Sequence, residues 1–230
     1  MLENHHPYWL VLISLLLALA PVVVGLFTAF IKIHVVLSFF RSGLGAQQIP
    51  SGLVILGLSI ALTFSVMTPT LTACEATLAS FPWKKLERSP DKIKRSDLEP
   101  IIAPWREFLE KHTGEREKRV FERLSGNRPV MSDEESAGAE VQSVSETSWS
   151  VLLPAFVVTE LKEAFLIGFM LLLPFLAIDL IVANILAGVG MFMVSPVMIS
   201  LPLKVALFVF ADGWLLLTKG LVESYRVLGG

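Results

Sequence analysis

A single cysteine, Cys74, stands in this chain of 230 residues. One thiol makes neither an intramolecular disulfide nor a multi-cysteine metal site. Charge is scarce as well: Asp, Glu, Lys and Arg make up 17% of the chain, against about a quarter in soluble domains. The net charge of −2 leaves no basic surplus for gripping nucleic acid. The recurrent nucleotide and hydrolase signatures are missing. There is no GxxxxGK followed by Ser or Thr and no GxGxxG to cradle a phosphate. HExxH and GxSxG are absent too. Neither an enzyme nor a cofactor carrier is expected.

What the chain has instead is apolar length. Hydrophobic residues make up 53% and the mean hydropathy is +0.66, the values of a polytopic membrane protein. Tyr8 to Ile31 is 24 residues without a charge, longer than the roughly 20 that a spanning helix needs. Its start, MLENHHPYW, lacks the basic region of a leader peptide, so the run reads as a retained crossing with Trp9 at an interface. Pro21 and Gly25 are expected to kink it. His5 and His6 read as part of a solvated tail. Lys32 to Pro50 carries Lys32 and Arg41 without an acid. It reads as a short amphipathic cytoplasmic loop by the positive-inside rule, broken by Gly43, Gly45 and Pro50. Leu53 to Leu71 crosses back. A third apolar run opens at Val151 and is expected to break at Pro174. A fourth runs from Met198 to about Leu217.

Residues 81–149 are different material. They hold 13 of the 19 basic and 14 of the 21 acidic residues, the mixed balance of a solvated domain. Trp105, Phe108, Leu109 and His112 follow helical spacing, and Val120, Phe121 and Leu124 repeat it. Gly114 is expected to divide two helices and Gly126 to end the second. Residues 127–148 are rich in Ser, Glu and Gly and read as a linker. The expected class is therefore all-α membrane protein, with four long, kinked apolar helices as two hairpins and a small helical periplasmic insertion. Residues 1–80 form the first hairpin, 81–149 the insertion and 150–230 the second hairpin.

The apolar runs carry charges that a plain anchor does not need: Glu160, Lys162, Glu163, Asp179, Lys204 and Asp212. Charge inside an apolar helix is costly and faces a partner, a subunit interface or water. Glu160 and Lys204 are candidates to pair, between neighbouring copies, with Glu163 one turn on as the alternative acid. A small ion or solute transporter can use Glu160, Asp179 and Lys204 as an ion path, but no inverted repeat accompanies them. An intramembrane protease can use Asp179 with Asp212 as a dyad, yet neither flank carries a protease motif. Between the third and fourth runs lies Gly188-Val-Gly-Met-Phe-Met-Val-Ser-Pro196. Met191, Phe192 and Met193 are either filler for an irregular core or a soft tip that seals around varied partners. Gly188, Gly190 and Pro196 are the candidate hinges of that loop.

The stretch from Thr159 to Trp214 (TELKEAFLIGFMLLLPFLAIDLIVANILAGVGMFMVSPVMISLPLKVALFVFADGW) resembles the C-terminal half of the type III secretion export-gate family. That family comprises flagellar FliP and the virulence proteins SctR, YscR, HrcR and SpaP. FIKIHVVLSFFRSGLGAQQIP, the following MTP, and PWREFLEKHTGEREKRVFERL resemble it too, in the same order. Four hydrophobic segments without a spare leader point to the virulence-type member. The resemblance implies a non-enzymatic subunit of a channel for unfolded protein in the bacterial inner membrane. It implies a closed helical cone of about five copies of the chain around one axis, joined by SctS/FliQ-like and SctT/FliR-like subunits. Much of that cone would be held at the level of the periplasm. The Met loops would line a gasket across the pore, with Phe192 standing where a methionine is common. The apolar runs would then be subunit interface, and the embedded charges would pair across it.

Overall fold

The computed structural model describes residues 7–45, 50–80, 95–126 and 147–227. Among these, every regular element is a helix. α1 spans Pro7–Phe27, α2 Phe30–Leu44, α3 Gly52–Ser80, α4 Arg95–Lys111, α5 Glu115–Leu124, α6 Trp149–Gly188, α7 Pro196–Phe210 and α8 Gly213–Val227. His5 and His6 lie outside the described residues, as does most of the expected linker at 127–148.

The fold is built around α2. Lys32 to Leu44 does not loop out; it is the body of α2, and the expected cytoplasmic loop is corrected accordingly. Ile33, Val36, Leu37 and Phe40 are fully buried, one stripe at helical spacing. α6 packs along it most extensively, with α3 and α7 on its other sides. Gly45, at φ +74, closes the helix in the left-handed region after fifteen residues, whereas Gly43, read as a breaker too, lies buried inside it. Phe40 is the central plug. Its ring meets Phe208 at 4.5 Å, Trp214 at 5.2 Å and Phe175 at 6.1 Å between centroids. Burying such a side chain contributes about 1.5–3 kcal/mol.

α2 also changes the pairing of the first two apolar runs. α1 packs on α2 and α6, and α3 packs on α2, α4 and α8. They are therefore not two legs in contact along their length. The turn between α1 and α2 is held by Thr28, whose hydroxyl donates to Val24 O at 2.5 Å and accepts from Phe30 N at 3.2 Å.

α6 runs 40 residues through Pro154 and Pro174 without a break, so the expected interruption at Pro174 is not there. At 1.5 Å per residue it is about 60 Å long, about twice a bilayer's hydrocarbon thickness. The interruption falls in the last run instead. α7 and α8 meet at 65°, across Asp212, whose φ is +50. Among the described residues, α3 and α6 are each long and apolar enough to cross a membrane, and the bent pair α7–α8 makes a third if it counts as one span.

α4 and α5 divide at Gly114 and α5 stops before Gly126, as the spacing predicts. They do not stand apart from the apolar helices. α4 packs on α3 and α6, and α5 packs on α6. Trp105 Nε1 donates to Phe27 O at 2.7 Å, and Gly114 N donates to Thr159 Oγ1 at 3.0 Å.

Candidate functional site

Two features set this chain apart from a packed helical anchor: ion pairs inside it and an uncovered apolar tip. The first ion pair centres on Lys32. Its Nζ lies 3.2 Å from Glu160 Oε1 and 2.7 Å from Glu163 Oε2, with Lys32 and Glu160 fully buried and Glu163 28% exposed. Tyr225, from α8, completes the cluster. Its hydroxyl donates to Glu160 Oε2 and approaches Ala29 O at 3.2 Å, while Lys32 Nζ sits 3.9 Å from the ring centroid. Glu160 Oε1 accepts no hydrogen bond, so its contact with Lys32 is an ion pair of imperfect alignment. One ammonium thus serves two carboxylates, and helices α2, α6 and α8 are tied at one point. His112 joins the same corner, with Nδ1 2.7 Å from Phe108 O and Nε2 3.1 Å from Tyr225 O.

The second pair centres on Lys204. Its Nζ donates to Asp179 Oδ2 at 2.7 Å and to Gly43 O at 2.9 Å, and Ser200 Oγ donates to Asp179 Oδ1 at 2.6 Å. This clasp joins the end of α2 to α6 and α7.

The expected pairing of Glu160 with Lys204 is therefore not what the chain makes. Each has a different partner, and at 0% and 2% exposure neither is open to a neighbouring copy. The cause is α2: it lies against α6 and supplies both Lys32 and the Gly43 carbonyl. The remaining charges divide. Glu163 and Asp179 are half-buried, whereas Lys162 and Asp212 are exposed and so are not the buried charges expected. Lys162 reaches outward to Glu117 on α5 at 2.9 Å. That bond holds the Glu117 carboxyl below its ordinary range. Asp212 sits at the helix break and does not share the surroundings of Asp179. An acid bonded to a lysine and a serine is not half of a proton-sharing dyad, so the protease reading has no support in the geometry.

The tip lies between α6 and α7. Gly190, at φ +79, closes α6: Met191 N donates to Leu186 O and Gly190 N to Ala187 O, a Schellman closure that wants glycine at the left-handed position. Gly188 is helical and a side chain there would meet nothing within 4 Å, so only one of the two glycines is required by the backbone. Pro196 opens α7 at its first turn. Between them Met191 is 45% exposed, Phe192 82% and Met193 102%. In this chain these side chains fill no core. Exposed apolar side chains continue down both flanking helices, among them Ile181, Ile185, Met198 and Phe210.

Residues 12–221 match the FliP family. The chain belongs to that family. Among its relatives, the flagellar biosynthetic protein FliP of Bacillus subtilis is 38% identical over 217 residues, covering 94% of this chain and 90% of the relative. Virulence protein YscR of Salmonella typhimurium is 37% identical over 220 residues, covering 95% and 97%. Yop proteins translocation protein R of Yersinia pestis is 38% identical over 223 residues, covering 94% and 95%. Flagellar and virulence relatives match about equally, so similarity alone does not divide them.

Lys32 and Tyr225 escape the reading of the sequence. Lys32 stands beside Ile33 at the edge of the buried stripe of α2, where no local signal names its partner. Tyr225 lies in a short amphipathic tail whose periodicity names no neighbour.

Proposed function

We infer that this chain is a core subunit of a type III protein secretion or flagellar export apparatus in the bacterial inner membrane. The match of residues 12–221 to the FliP family carries this reading. The relatives' names specify flagellar biosynthesis, virulence and protein translocation. The subunit works by assembling rather than by chemistry. Several copies, with SctS/FliQ-like and SctT/FliR-like partners, close a helical channel for unfolded chains. The apolar side chains left open on α6 and α7 supply area for such contacts. The tips Met191, Phe192 and Met193 converge on the channel axis as a soft seal. Such a seal resists wetting and still deforms around any sequence, because Met has many rotamers and no directional bonds. Residues 81–149 face the periplasm under this reading, so phosphatase fusions at residue 130 are expected to be active and fusions at residue 45 inactive.

The charges support this reading over a transporter. Lys32, Glu160, Lys204 and Asp179 are bonded to one another and tie helices together; a conduction path needs groups that release what they bind. Native mass spectrometry of the chain co-expressed with its genomic neighbours is the test. A complex several times the 25.3 kDa of the chain, containing two further subunit types, is the expected result. A monomer or dimer that moves ions alone in liposomes overturns it.

A further inference from the structure

A cleft of about 420 Å³ opens between α3, α4 and α8, with His112 and Tyr225 of the first ion-pair cluster on its wall. Its size is within the range of small-molecule sites, about 300–1,000 Å³. Three observations say what suits it. First, Lys111 and Arg226 line it from different helices, both exposed, and neither makes an ion pair among the described residues. Each sits in the last turn of its helix, where the helix dipole favours a cation. The dipole explains one cation per helix, but not that both border one cleft. Second, Ser65 and Thr70 of α3 present hydroxyls there that make no hydrogen bond among the described residues. The other hydroxyls among the described side chains of this helix, on Ser59, Thr63, Thr68, Thr72 and Thr77, donate back to carbonyls. Third, Val66, Phe108 and Val222 line the same cleft with apolar surface, and Val66 stands on α3, which is long and apolar enough to cross a bilayer.

Two cations and two idle donors beside an apolar wall suit a phosphate ester with a hydrocarbon tail. The geometry points to a binding site for the headgroup of a glycerophospholipid in the cleft between α3, α4 and α8. Lys111 and Arg226 hold the phosphate by charge-assisted bonds, Ser65 and Thr70 donate to its ester oxygens, and acyl chains leave along Val66 and Val222. Glu107, the one acid among the described lining residues, receives the ammonium of an ethanolamine headgroup. The inference stands apart from the export reading, since it asks only that α3 of the unassembled chain meet lipid.

The test is native mass spectrometry of the full chain, purified in detergent and titrated with phosphatidylethanolamine, phosphatidylglycerol or inorganic phosphate. Lys111→Gln with Arg226→Gln is compared against the wild type and against Lys219→Gln, whose lysine faces Glu223 elsewhere on α8. Losing two charge-assisted contacts weakens lipid binding at least about tenfold, while Lys219→Gln leaves it unchanged. Glu107→Gln weakens phosphatidylethanolamine alone. Thermal melting of each variant without lipid checks that the fold is intact. Equal lipid retention by the wild type and the double variant, with equal melting, overturns the site. Retention of inorganic phosphate as tight as that of lipid overturns the lipid assignment.

Discussion

Lys32 and Glu160 face each other at 3.2 Å with both side chains wholly removed from solvent. Glu163 adds a second carboxylate to the same ammonium at 2.7 Å. The cluster is therefore asymmetric. Removing the lysine strands two acids, whereas neutralising Glu160 leaves Lys32 with Glu163. Breaking a buried pair from one side costs about 3–5 kcal/mol. Lys32→Met is expected to cost that much and to lower the yield of folded chain. Glu160→Gln, which keeps the bond from Tyr225, is expected to cost less than half of it. Thermal unfolding of the two variants in detergent decides; equal losses would mean that Glu163 takes no share of the charge.

The contact of α2 with α6 is close enough to need glycine. A Cβ placed on Gly168 would lie 2.5 Å from Phe39 Cδ2 and 3.0 Å from its Cβ. The ring alone can turn away, but its own Cβ cannot without moving α2. Gly168→Ala is expected to cost about 1–3 kcal/mol, the usual range for overpacking. Phe39→Leu on top of it is expected to return part of that loss. A single variant as stable as the wild type would show that the helices separate at no cost.

Helix existence and the division at Gly114 are legible in the sequence because both rest on local signals, apolar spacing and a glycine between two periods. The family is legible as well, because its motifs are long and ordered. What periodicity does not carry is partnership. Glu163 is 131 residues from Lys32, and no local pattern tells a loop lysine from one turned into a core. The reading of residues 32–50 as a loop gives Gly43, Gly45 and Pro50 too much weight over the stripe of Ile33, Val36, Leu37 and Phe40 that precedes them. The continuity of α6 through Pro174 is similar: proline removes one backbone donor, yet the turns on either side of it remain helical.

α5 is fastened to α6 by Lys162 and Glu117 at 2.9 Å, and the bond depresses the Glu117 carboxyl from its ordinary 4.5. A depressed acid stabilises docking at pH values above 4.5 and gives up that contribution as pH falls through the lowered value. The pair is half open to water, so the effect is under about 1 kcal/mol. Amide exchange along α5, corrected for its intrinsic pH dependence, is expected to be constant from pH 7 to 5 and to quicken below about 4.5. Glu117→Gln is expected to flatten that profile. An α5 equally protected at pH 3 and pH 7 in the wild type would remove the pair from the docking.

The tip separates folding from function most cleanly. Met191, Phe192 and Met193 are exposed in the chain, and the loop's shape is held by backbone bonds to Leu186 and Ala187 with Gly190 in the left-handed region. Replacing all three side chains by alanine leaves those bonds in place. Melting of the isolated chain is therefore expected to stay within about 0.5 kcal/mol of wild type, as for surface positions generally. Gly190→Val, by contrast, forces a branched side chain into φ +79 and is expected to cost about 1–3 kcal/mol of local strain. In the assembled complex the triple alanine variant is expected to pass ions where the wild type is closed, because a wider and less apolar constriction wets more readily. Conductance of purified complexes in planar bilayers reads this directly. Near-zero conductance in both, with normal assembly and unchanged melting, would mean that the seal is made by other side chains and that the three tip residues only bridge α6 to α7.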